Sequence, residues 1–294
     1  YQTMKCKKIL TALLAAACTM SGCHGDLDIM QDNKLSASNM WIDESDAETA
    51  TYGIYLYMRD ALKSVHDIYL CWGEFRNGLW GAGTNKTLSG VDQTQVRTST
   101  MSSSNAYADW SVMYKTVNQA NLILKHVPEM GISESVRNFS LGNAYFSRAW
   151  CYFWIARIWG DAPLALTGYE STAGDLYLPR APKAEIFARI ESDLTEAERY
   201  VTDNSDKAVA TPAAVQMLKA DYALWMYRVA GGGSSYLTMA EEAIETLNLS
   251  ASRLESDYAQ VFSSANKLNK EVIFAVHQAN GEAVNGPGYY LGWN

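Results

Sequence analysis

The chain has 294 residues, 48% hydrophobic and 12% aromatic with only 19% charged, which supplies a sizeable core and excludes a disordered chain. Its 24 basic and 32 acidic residues give a net charge of −8, a balance that argues against nucleic acid as a partner. Five cysteines are too few and too scattered for a disulfide framework.

The first element is a leader. Lys5, Lys7 and Lys8 form a basic n-region, Ile9 to Met20 an uncharged apolar run, and Ser21 and Gly22 are the small residues before Cys23. The run is shorter than the roughly 20 residues a transmembrane helix needs. Met20-Ser21-Gly22-Cys23 resembles the lipobox of bacterial lipoproteins, with Met20 where such boxes usually carry Leu, Val or Ile. That resemblance implies a signal peptide over 1–22 and an acylated Cys23 as the mature N-terminus. Acyl chains contribute about 0.8 kcal/mol per buried methylene, so several together anchor stably. An ordinary secretory signal with a chance cysteine is the alternative. Loss of the leader takes three lysines and no acid, leaving 21 basic against 32 acidic residues and a net charge of −11. In the folded body only Cys71 and Cys151 remain; export would permit them to pair, and separate buried thiols are the favoured expectation.

Residues 23–41 carry few core formers and read as a tether. Asp26, Asp28 and Asp32 have the start of a calcium-loop spacing, but Met30 sits where a ligand is required and Gln31 where glycine is required.

From residue 42 onward the periodicity is helical. Ser45 and Glu48 form an S-x-x-E capping pattern, and Ala47, Ala50, Ile54, Tyr57 and Ala61 follow on one face. Met113, Val117, Ala120, Leu124 and Val127 repeat the spacing up to Pro128. Leu141, Tyr145, Ala149, Tyr152, Ala156 and Trp159 repeat it up to Gly160, in a helix apolar nearly all round and therefore central. Ile186, Ile190, Leu194, Ala197 and Val201 make the next inward stripe. Thr211 and Pro212 are an N-cap and first-position pair ahead of Val215, Leu218, Tyr222, Trp225 and Val229, and Gly231 to Gly233 ends that helix. A last helix lies around Met239, Ala243 and Leu247, and one short strand is expected at Glu271 to Gln278. Successive helix pairs without a strict 34-residue recurrence predict a mainly all-α fold. It is a degenerate tetratricopeptide-like helical-repeat scaffold with long loop inserts and minor β structure.

The chain carries no H-E-x-x-H, no G-x-S-x-G and no complete phosphate loop; Gly81-x-Gly83 before Lys86-Thr87 has Asn85 where glycine is needed. His24, His66, His126 and His277 are scattered, so neither a metal site nor a triad is readable. Binding chemistry is denser in Tyr69 to Trp80, where Tyr69, Trp72, Phe75 and Trp80 stand among Glu74, Arg76 and Asn77. A pyranose stacks its C–H face on an aromatic ring and needs planar donors and acceptors for its hydroxyls. The expected ligand residues are Trp72, Arg76, Asn77 and Trp80; the alternative makes Trp72 and Trp80 core anchors beneath an insert.

The ordered blocks resemble the SusD/RagB family of outer-membrane nutrient-binding lipoproteins. They are Cys23 with Asp26-Leu27-Asp28, Arg148-Ala149 inside Tyr145 to Tyr152, and Trp159-Gly160-Asp161-Ala162-Pro163-Leu164. Leu178-Pro179-Arg180-Ala181-Pro182, Asp193-Leu194, Thr211-Pro212-Ala213-Ala214 and Asn269-Lys270-Glu271-Val272-Ile273-Phe274 complete the series. Arg148 is expected to pair with a carboxylate, Asp161 to cap a turn and Glu271 to take an ion-pair partner. The resemblance implies a lipid-anchored, surface-exposed outer-membrane protein, without enzymatic activity or cofactor. It would bind a glycan or other nutrient and deliver it to a TonB-dependent (SusC-like) transporter. Family members are longer, so a C-terminal part is expected to be missing. A peptide-binding member of the same family and a protein-interaction scaffold are the competing readings.

Overall fold

A computed structural model describes residues 40–77, 91–172, 176–249 and 253–277. The chain divides into two compact units, Tyr1–Met40 and Trp41–Asn294. The leader, Cys23, the tether up to residue 39 and the Gly81 to Thr87 loop lie outside the described residues.

Helix α1 spans Glu44–Trp72. Its start is set by two aspartates: Asp46 Oδ2 accepts from the N–H groups of Ile42 (2.8 Å) and Asp43 (3.3 Å), and Asp43 Oδ1 accepts from Asp46 N–H (3.2 Å). The reciprocal cap is therefore Asp43/Asp46, two residues ahead of the expected Ser45/Glu48 pair, and it places two carboxylates at the positive end of the helix dipole. Ala47, Ala50, Ile54 and Ala61 are buried as expected, but Tyr57 is 38% exposed and Met58 is fully buried in its place. A 3.6-residue period over this length carries the stripe from Ile54 to Met58 rather than to Tyr57.

After α2 (Val91–Thr98) and the turn Ala106–Ala108, helix α3 (Ser111–His126) buries Met113, Val117 and Ala120. Helix α4 (Glu134–Trp159) is buried on nearly every side and ends at Gly160, whose φ of 73° lies in the left-handed region glycine favours. It packs against α1, α3 and the two helices that follow, α5 (Lys183–Tyr200) and α6 (Pro212–Arg228), which makes it the centre of the core. Thr211 Oγ1 accepts from Ala214 N–H (3.1 Å), the expected N-cap with proline in the first turn. Val229, expected inward, is 62% exposed because the helix ends at Arg228. Helix α7 (Ser234–Thr246) packs on α6, and a single turn, α8 (Tyr258–Val261), follows. This is the mainly helical, tetratricopeptide-like scaffold the periodicity predicts.

Strand structure is confined, among the described residues, to a two-residue antiparallel pair, β1 (Ala162–Pro163) with β2 (Arg180–Ala181). Asp161 caps as expected, but at a distance: its Oδ1 accepts from Lys183 N–H (2.8 Å) at the start of α5. The strand expected from Glu271 is absent over 271–277. One backbone bond, Ala275 N–H to Lys207 O (2.9 Å), replaces a ladder, and Phe274 packs between Tyr55 and Phe146. The apolar run there fills a gap in the helical core instead of pairing. Among the described residues Glu271 has no cation partner; its Oε1 accepts from Glu255 N–H (2.6 Å). Cys71 and Cys151 are separate buried thiols.

Candidate functional site

The end of α1, the turn after it and the end of α4 converge on one cavity of about 280 Å³. Its wall includes Trp72, Arg76, Ser102, Ser103, Tyr107 and Trp159. The turn at 105–108 is held from both sides. Asn105 Oδ1 accepts from Tyr107 N–H (2.9 Å), while Asn105 Nδ2 donates to Asp92 O (3.1 Å) and Gln95 Oε1 (2.8 Å) on α2. The two tryptophans then grip its backbone: Trp72 Nε1 donates to Tyr107 O (2.9 Å) and Trp159 Nε1 to Ala108 O (3.1 Å). Satisfying the indole N–H groups in this way leaves the rings to act through their apolar surfaces.

The expected ligand residues divide. Trp72 and Arg76 share the cavity, from opposite conditions. Trp72 is 8% exposed and packs against Trp154 and Trp159 at 5.8 and 5.2 Å between centroids. Arg76 is exposed, and its guanidinium has no partner among the described residues. Asn77 is exposed and donates from Nδ2 to Glu74 Oε2 (2.8 Å), but it is not in the cavity wall. Trp80 lies outside the described residues.

Trp159, Tyr107, Ser102 and Ser103 were not expected at a site. Trp159 reads in sequence as the last core position of its helix, and it is half-buried because α4 ends there. No local pattern marks the two serines. Among the described residues no group of His, Cys, Asp and Glu could hold a metal ion, and no helix is long and apolar enough to cross a membrane.

The arrangement is a small preformed hollow with aromatic walls, hydroxyls and one uncommitted guanidinium, on a tetratricopeptide-like scaffold. Such a lining has the chemistry to take a small polar ligand with an apolar face. The comparisons with known proteins agree on the family. Residues 82–227 match the model of a SusD-like family described as "Starch-binding associating with outer membrane". SusD-like protein P38 of Formosa agariphila is 26% identical over 190 residues, covering 65% of this chain and 36% of the relative. Among solved structures, NanU of B. fragilis superposes with a TM-score of 0.69 at 29% identity, over 85% of this chain and 51% of that one. A SusD superfamily protein from Bacteroides fragilis gives 0.70 at 26%, over 83% and 51%. The chain belongs to the SusD-like family, and it spans about half the length of these solved relatives.

Proposed function

We propose that this chain is the saccharide-capturing part of a lipid-anchored outer-membrane protein that delivers oligosaccharide to a partner TonB-dependent transporter. Residues 1–22 act as the signal peptide, Cys23 carries the acyl chains, 23–41 form the tether and 42–294 the binding domain. The protein works by binding, not by catalysis. Trp72 and Arg76 form the core of the ligand site and Trp159 and Tyr107 its wall, while Asn77 and Trp80, next along the chain, are proposed to extend it.

The observation that carries this reading is the meeting of Trp72, Trp159 and an uncommitted Arg76 around a hollow of about 280 Å³. Ring faces take the C–H surface of a pyranose, and a fixed fork of N–H donors takes its hydroxyls. The family description of starch binding points to the same ligand class. Trp72→Ala is a poor test, because removing a buried tryptophan costs about 3–5 kcal/mol of stability. Arg76→Ala is exposed and avoids that loss. In affinity electrophoresis through gels containing amylopectin, laminarin, xylan, arabinan, pectin or mannan, the intact chain is retarded by at least one polysaccharide and Arg76→Ala much less. Retardation by none, with binding to peptides instead, overturns the reading.

A further inference from the structure

A second hollow, of about 470 Å³, lies between α3 and the segment that joins β1 to β2. Its wall is aromatic, with Trp110, Tyr114, Tyr169 and Tyr177, and Tyr177 is 91% exposed. The groove is built rather than accidental. Asn118 pairs in both directions with the backbone of Tyr169, donating to its O (3.1 Å) and accepting from its N–H (2.7 Å). Asn121 Nδ2 donates to Ala165 O (3.0 Å) and Thr167 O (3.3 Å), and Tyr114 Oη donates to Pro163 O (2.6 Å). At Gly168 the segment approaches so closely that a Cβ would meet the backbone N of Leu122 at 2.8 Å.

Two features state what the groove can hold. The amides at its base are already spent on the segment's backbone, so little is left to read the regular donors and acceptors of a peptide. What remains is ring surface and a guanidinium: Arg180 lies 4.7 Å from the Trp110 ring centroid, gives one N–H to Asp161 O (3.1 Å) and has no other hydrogen-bond partner among the described residues. A guanidinium and an indole, Arg76 and Trp159, also share the wall of the first hollow. The two hollows lie to either side of a run of neighbouring rings, with the Trp110 and Trp159 centroids 6.2 Å apart and those of Trp159 and Trp72 5.2 Å apart.

We infer that the groove formed by Trp110, Tyr114, Tyr169 and Tyr177 beside Arg180 is a second saccharide subsite, continuous through Trp159 with the cavity of Trp72 and Arg76. The inference rests on the saccharide reading of that cavity. A chain of sugar units lying along the belt would engage both hollows, which lets a polysaccharide bind more tightly than either alone permits.

The test runs the intact protein, Tyr177→Ala, Tyr177→Trp and Arg76→Ala through the same six polysaccharide gels. Tyr177→Ala is expected to weaken the apparent affinity by about 2- to 10-fold, the worth of one aromatic stacking contact. Tyr177→Trp, which keeps a ring, should restore it, and neither should shift Tm. Intact protein retarded equally with Tyr177→Ala, while Arg76→Ala is released, overturns the second subsite and leaves the first standing. Retardation of none of the four, or binding to peptides alone, overturns both.

Discussion

Arg148 and Asp193 form a buried two-pronged ion pair that fastens α4 to α5. Arg148 Nε and Nη2 donate to the two carboxylate oxygens at 2.8 and 2.7 Å, and Nη1 donates to Asn121 Oδ1 on α3 at 2.8 Å. Asp193 is fully buried and Arg148 nearly so. Burial works against the charge on Arg148, yet the hydrogen bonds and charge of Asp193 outweigh it and lift the guanidinium above its usual pKa. Burial pushes the Asp193 carboxyl up as well, against the pull of Arg148 and Arg189.

Breaking such a pair from one side leaves a buried charge unmatched. Arg148→Met or Asp193→Asn alone should therefore cost about 3–5 kcal/mol in denaturant unfolding. The double variant Arg148→Met/Asp193→Leu should cost far less than the sum, since it removes both desolvated charges. Additive losses would show that the two residues do not act as a pair.

A second prediction concerns the same helix pair. A Cβ on Gly142 would meet Val201 Cγ2 at 2.7 Å and the Val201 backbone N at 3.1 Å, so glycine is what allows α4 to lie against the end of α5. Gly142→Ala gains helix propensity but overpacks a contact that includes backbone. The net effect expected is a destabilisation of about 1–3 kcal/mol, read as a lower denaturation midpoint. An unchanged or raised midpoint would mean that the helices part at no cost.

The acid limb of stability should depend on Glu170. Its carboxylate accepts from Lys125 Nζ and pairs with His126 Nε2 at 2.8 Å, and Trp41 stacks on His126 with ring centroids 4.9 Å apart. The hydrogen bond from Lys125, with that of His126 added, holds the carboxyl below its ordinary range. A carboxyl depressed in the folded state contributes stability above its unfolded pKa and loses it as pH falls through the folded one. Glu170→Gln should thus lower Tm modestly at neutral pH, with the gap to the parent closing between about pH 5 and pH 3. A gap that stays constant down to the acid end would contradict this.

The anchor makes a prediction of its own. Cys23→Ala should release the exported protein from membranes in fractionation, because the acyl chains and not the folded body would hold it there. Continued sedimentation with membranes would remove Cys23 from the account.

Helix positions were legible because burial has a period: Met113 to Ala120, Ile186 to Ala197 and the Thr211 cap are where the spacing puts them. The misreadings arose where two local patterns compete. Ser45/Glu48 and Asp43/Asp46 are both capping spacings, and in the fold the hydrogen bonds form at Asp43/Asp46. The apolar run Val272 to Val276 has strand composition, yet no described strand lies beside it, and Phe274 is drawn into the helical core instead. For the site, aromatic and planar residues close in sequence pointed to Trp72 and Arg76. Trp159 and Tyr107 come from 87 and 35 residues further along the chain, brought in by indole bonds to one turn that no local pattern announces.

The most direct test of the central claim is a crystal structure of the chain with an oligosaccharide cut from whichever of the six polysaccharides retards it. The account predicts a pyranose ring in the hollow of Trp72, Tyr107 and Trp159, with its hydroxyls on Arg76. A bound saccharide that leaves this hollow empty, with Arg76 turned to solvent, would contradict it.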